Sequence, residues 1–117
     1  MITRIKAVLI IGGSGIFGTH LAQRLSDGYK VFLTYHTRRI VVPGVTSVPI
    51  VLENLNWMRR ILYTIRPEII VYAAGRNNLA WAEEFPREAE AVHLNGAATI
   101  MNIAEVLQPK FIYLSNC

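Results

Sequence analysis

Seven consecutive residues, Gly12-Gly13-Ser14-Gly15-Ile16-Phe17-Gly18, have the types and spacing to hold a nucleotide phosphate. Gly12 permits a tight turn out of the segment before it. Gly15 lets the backbone approach a pyrophosphate with no Cβ in the way, and Gly18 lets a following helix lie close to a sheet. A helix that starts there adds unpaired N–H groups and a partial positive charge facing the phosphates. Such a turn binds but makes and breaks no bonds. Glycines at this spacing are weak evidence alone, since a plain glycine-rich turn has the same composition, so the flanking elements carry the decision.

Those elements are legible. The apolar run Ala7-Val8-Leu9-Ile10-Ile11 precedes the glycines, and Thr19-His20-Leu21-Ala22-Gln23-Arg24-Leu25 follows. Strand one is expected over Lys6 to Gly12 and helix one over about Gly15 to Ser26, ended by Asp27-Gly28. Lys30 to Tyr35 reads as strand two, His36 to Gly44 as a basic loop, and Val45 to Val51 as a short strand three in which Pro49 argues against a central place. Leu55, Met58, Ile61, Leu62 and Ile65 line one face of a helix over Asn54 to Ile65. Pro67 stops it, and Ile69 to Ala74 is strand four, closed by Gly75. Pro86 suits the first turn of a long helix reaching about Leu107, with Ala89, Val92, Gly96, Thr99, Ile100, Ile103 and Leu107 turned inward. Phe111 to Leu114 is strand five. Alternation of this kind gives a doubly wound parallel sheet of about five strands in a three-layer α/β/α sandwich. The sequence stops at Ser115-Asn116-Cys117, directly after a strand, and reads as cut short.

The bulk properties are consistent with one globular domain of 117 residues, 52% of them hydrophobic. No apolar run is long enough to cross a bilayer, and the short one after Arg4 and Lys6 lacks a cleavage pattern. The single cysteine, Cys117, excludes an internal disulfide and suits a reducing cytoplasm. Charge is uneven: residues 1–66 hold nine basic and two acidic side chains, residues 67–117 three basic and six acidic. The basic half carries the glycine turn, which suits a polyphosphate, although a solvated arginine-rich surface has the same composition. The arginines are scattered with no aromatic-studded stripe, so nucleic acid is not an expected partner. His20 and His93 lack a second ligand at metal spacing, so no metal site is expected. Trp57 and Trp81 read as packing residues.

At this point the chain resembles the extended short-chain dehydrogenase/reductase family. The nearest likeness is to its sugar-nucleotide branch of NAD-dependent epimerase/dehydratases and dTDP-4-dehydrorhamnose reductases. The likeness rests on the Gly12/Gly15/Gly18 spacing and on Arg66 to Gly75, similar to the family's fourth strand and its Ala-Ala-Gly-type ending. It rests also on Ala82-Glu83, Pro86 and Leu94-Asn95-Gly96, similar to the helix carrying Val-Asn-x-x-Gly, and on Lys110 to Ser115, similar to the strand before the catalytic Ser/Thr. It covers essentially the whole chain and implies a Rossmann-like, NAD(P)-binding N-terminal domain over residues 1–117. The substrate-binding part would lie outside this sequence. Longer members carry a Tyr-x-x-x-Lys pair that moves the proton. The residue four places after each tyrosine here is Leu33, Arg39, Pro67, Arg76 or Cys117, so the pair is absent. Loss of the general acid/base removes roughly two to four powers of ten in rate, and the chain as given is expected to bind dinucleotide without turnover.

The resemblance also assigns individual residues. Gly12, Gly15, Ile16, Phe17 and Gly18 would hold the diphosphate. The end of strand two has Tyr35 and His36 where an NAD-preferring member has an acid, with Arg38 and Arg39 close by. Arginine pairs bidentately with phosphate, so NADP is preferred over NAD. After strand three, Glu53 is the nearest candidate for the acid beside the adenine. Ala74 and Gly75 would leave room for the inner ribose and diphosphate. Asn95, read as a buried amide on an apolar helix face, matches the asparagine of the proton relay. Ser115 and Asn116 stand at the catalytic edge, making with Asn95 an incomplete set. In a full-length relative the partner would be a nucleotide-sugar. Two other readings stay open, a non-catalytic Rossmann module with a regulatory or interaction role and a truncated gene remnant. Strand five and the helix over residues 86–107 would leave surface open to self-association.

Overall fold

The computed structural model describes residues 5–12, 16–35, 39–51, 54–73 and 86–114, with the backbone alone at positions 16, 86 and 88–94. Five strands form one sheet: β1 Ala7–Ile11, β2 Lys30–Tyr35, β3 Val45–Pro49, β4 Ile69–Tyr72 and β5 Lys110–Tyr113. Their order is β3-β2-β1-β4-β5, and every neighbouring pair is parallel. Among the described residues three helices connect them, α1 Ile16–Leu25, α2 Leu55–Ile65 and α3 Pro86–Ile103. This is the doubly wound arrangement expected from the alternation of elements.

β1 occupies the centre because all five of its residues are apolar and fit a strand covered on both faces. Side chains alternate along it. Leu9 and Ile11 join Met58 and Leu62 of α2, Ile70 and Tyr72 of β4, and Ala97 and Ile100 of α3 in one core. Val8 and Ile10 join Ala22 of α1, Val31 and Leu33 of β2, and Val71 of β4 in the other. Each buried Leu or Ile contributes about 1.5–3 kcal/mol relative to exposure, so the central strand is the strongest tie in the fold. Its first N–H, on Ala7, is capped by the Glu68 carboxylate.

Element ends differ from expectation where local chemistry intervenes. β3 stops at Pro49, which lacks a donor and lies on an outer strand. Its neighbour Ile50 donates its N–H to the Tyr35 carbonyl at 2.9 Å. Asn54 caps α2, its Oδ1 accepting the Trp57 N–H at 3.1 Å, and the Trp57 indole N–H donates to the Pro49 carbonyl at 2.9 Å. Of the five residues expected on the inner face of α2, Leu55 is exposed, because it belongs to the first turn, ahead of the sheet contact. α3 ends at Ile103, and a single 3₁₀ turn, Glu105–Leu107, completes the length read from sequence as helix. In the connection from β2 to β3, Ile40 and Val42 pack on the α1 side of the sheet in the place of a helix, held by the Ser47 hydroxyl donating to the Ile40 carbonyl.

Candidate functional site

The glycine turn begins at the carboxyl end of β1, where Gly12 has φ 80°. Only glycine takes that conformation without strain. The Gly12 N–H donates to the Thr34 hydroxyl oxygen at 2.8 Å. α1 starts at Ile16, has no acidic residue in its first turn, and buries Gly18, which is what close helix–sheet packing needs. An anion at this helix end would therefore meet N–H donors, with no carboxylate in the first turn of the helix. Gly13, Ser14 and Gly15 lie outside the described residues.

The other expected site residues are distributed as follows. Phe17 is 43% exposed, and its side chain lines an apolar groove of about 260 Å³ with Leu21 and Leu25 of α1, Ile69 and Val71 of β4, and Ile112 of β5. Only its backbone belongs to the turn. Tyr35 is half-buried at the end of β2, and Arg39 is exposed. His36, Arg38, Glu53, Ala74, Gly75, Ser115 and Asn116 lie outside the described residues, as does Trp81.

Asn95 corrects one expectation. It is exposed on α3 rather than buried among apolar side chains. The inward stripe of α3 runs through Ala97 and Ile100 and continues to Ala104. Two residues of helix turn through about 200°, which carries Asn95 to the opposite side. Gly96, Thr99 and Ile103 flank the stripe and are half-buried. Thr99 donates its hydroxyl to the Asn95 carbonyl at 2.9 Å.

Sequence reasoning missed two residues. Thr34 is the polar residue fully buried among those described, and a lone threonine in a strand reads simply as a good strand former. Tyr72, at the end of β4, has a buried hydroxyl with no hydrogen-bond partner among the described residues. Its ring stacks on Phe111 and Tyr113 of β5 at centroid distances of 6.3 and 5.7 Å. Burial, with a smaller contribution from Tyr113, pushes this hydroxyl up to about 12 from 10.0. Among the described residues no cluster of three His, Cys, Asp or Glu side chains could hold a metal, and no helix is long and apolar enough to cross a membrane.

A parallel sheet in the order β3-β2-β1-β4-β5, with a glycine turn from its central strand into a helix, defines a Rossmann-like α/β protein. Within that class, the model of the NAD dependent epimerase/dehydratase family matches residues 8–117, and the chain belongs to that family. Among solved structures, it is similar to the UDP-glucose 4-epimerase of Thermotoga maritima solved with UDP-glucose, at 21% identity and TM-score 0.75, covering 92% of this chain and 37% of that one. It is also similar to the Bordetella bronchiseptica enzyme WbmG in complex with NAD, at 18% identity and TM-score 0.68, covering 94% and 37%. L-threonine dehydrogenase from Clostridium difficile shares 22% identity at TM-score 0.72, covering 95% and 36%. The chain thus spans little more than a third of the length of these structures. No curated protein matches it by sequence.

Proposed function

We propose that residues 1–117 form the NAD(P)-binding portion of a sugar-nucleotide epimerase, dehydratase or reductase. The observation that carries this reading is the strand–turn–helix at Gly12, with its positive φ, its anchored amide and a carboxylate-free helix start. When bound, the dinucleotide would supply hydride chemistry. This chain's part is to hold the diphosphate on the main-chain amides of Gly15, Ile16, Phe17 and Gly18, with Gly12 setting the turn. Tyr35, His36, Arg38 and Arg39 would surround the adenosine ribose, where the guanidinium groups favour a 2′-phosphate and hence NADP. Ala74 and Gly75 would leave room for the inner ribose.

Asn95, Ser115 and Asn116 form an incomplete catalytic set. With no Tyr-x-x-x-Lys pair in the sequence, the chain is proposed to bind dinucleotide in the cytoplasm and not to turn over a nucleotide-sugar. The substrate-binding portion would belong to a longer protein. One observation favours a second reading, a non-catalytic interaction module. The groove between α1 and β5 is apolar, and Ile112, which lines it, is 39% exposed, a surface suited to self-association.

Calorimetric titration with NAD and NADP tests the first reading. Saturable binding with NADP the tighter by severalfold is expected. A tighter NAD overturns the role given to Arg38 and Arg39. Stereospecific NADPH oxidation in the presence of a keto-sugar nucleotide overturns the absence of turnover.

A further inference from the structure

Thr34 is completely buried in a strand whose neighbouring residues Val31 and Leu33 belong to the apolar core. Valine has nearly the same shape and suits the same pleat, so a buried hydroxyl is tolerated there only with a hydrogen-bond partner. That partner is the N–H of Gly12, at 2.8 Å and 22 residues away in sequence. Gly12 is where β1 leaves the sheet. The β1–β2 pairing ends at Ile10↔Leu33, and Gly12 departs with φ 80°. The side chain of β2 accepts from the backbone donor at the point where β1 ends.

We infer that Thr34 is a positioning residue for the diphosphate-binding turn. Its hydroxyl pins the Gly12 peptide to β2 and so fixes the point from which the chain leaves β1 for α1. The Gly12 N–H is committed to Thr34, and contact with a diphosphate falls to amides further along the turn. Pre-set donors bind an anion without first being ordered, and their loss weakens affinity for the ligand that carries the anion. The inference rests on the dinucleotide-binding reading.

The test compares wild type, Thr34→Val and Thr34→Ser with two ligands, ADP-ribose by calorimetry and adenosine by amide-shift titration. Adenosine keeps the base and ribose and lacks the diphosphate. Thr34→Val is expected to weaken ADP-ribose about five- to twentyfold and to leave adenosine within twofold, with Thr34→Ser restoring wild-type affinity. Wild-type binding of ADP-ribose that Thr34→Val leaves unchanged overturns this inference alone, as does an equal loss of both ligands. No ADP-ribose binding by wild type overturns the dinucleotide reading and this inference with it. Amide hydrogen exchange on the wild type needs no variant to fold. The Gly12 N–H should exchange as slowly as the ladder amides of β1, and rapid exchange there overturns the anchor.

Discussion

Two margins of the same sheet handle buried polar groups in opposite ways. At the carboxyl ends of β1 and β2, the Thr34 hydroxyl and the Gly12 N–H are matched to each other. Two strands along, at the ends of β4 and β5, the Tyr72 hydroxyl is also buried and has no partner among the described residues. The apolar surroundings differ as well. β1 is enclosed on both faces, whereas β5 is an outer strand with Lys110, Ile112 and Tyr113 exposed and an apolar groove alongside. The glycine-turn margin thus has its buried hydroxyl and departing amide paired within this sequence. The β4–β5 margin instead carries a desolvation cost among the described residues.

The largest expected contrast comes from glycines with the same backbone sign. Gly12→Val places a β-branched side chain at φ 80° and should cost about 1–3 kcal/mol of stability together with at least tenfold in dinucleotide affinity, read by urea unfolding and calorimetry. Gly44 has a similar φ of 77°, but a Cβ there would meet only Ser26 atoms, at 3.6–3.7 Å. Gly44→Ala should lose about 1–2 kcal/mol and leave affinity unchanged. Equal affinity losses in both would deny the turn its special role.

Tyr72→Phe is the next largest. Removing an unsatisfied buried hydroxyl should raise stability by about 1 kcal/mol. It should also flatten the alkaline limb of the stability curve. Below pH 10 the Tyr72 proton is held in both states. Between pH 10 and about 12 the unfolded chain releases it while the folded chain retains it. Stability therefore falls through that window, by at most about 1.4 kcal/mol per pH unit from this group. A variant with the same alkaline slope as wild type would mean the hydroxyl is not buried as described.

Smaller effects are expected away from both margins. Arg66 closes α2 in the left-handed region at φ 50°, its N–H donating to the Leu62 carbonyl at 2.8 Å. Arg66→Gly should add about 0.5–1 kcal/mol, with dinucleotide affinity unaltered. Ile112→Glu, at the rim of the groove, should shift stability by less than about 0.5 kcal/mol and reduce any concentration-dependent mass growth in light scattering. Growth that persists undiminished would place self-association on another surface.

Most of the architecture could be read from apolar runs, because a strand buried on both faces is continuous in its hydrophobicity, as Ala7 to Ile11 shows. Boundaries moved by one or two residues where a cap or a proline decided them, as at Asn54 and Pro49. The glycine spacing pointed to the turn, and at Gly12 the positive φ favours glycine over any other residue. The Thr34 anchor was hidden, because a hydrogen bond spanning 22 residues has no local pattern. Asn95 was misplaced because the inward stripe of α3 runs through Ala97, two residues on, which puts Asn95 on the solvent side. The orphaned Tyr72 hydroxyl depends on how β5 stacks against β4, a tertiary fact that no spacing in the sequence reports.

Backbone amide shifts of isotopically labelled protein, followed as NAD and NADP are added, interrogate the main-chain grip itself. Saturable shifts concentrated at Gly12, Ile16, Phe17 and Gly18, with a second set at Tyr35 and Arg39, are the predicted result. Saturation accompanied by shifts confined to the β4–β5 margin, or no shift at millimolar dinucleotide, would contradict it.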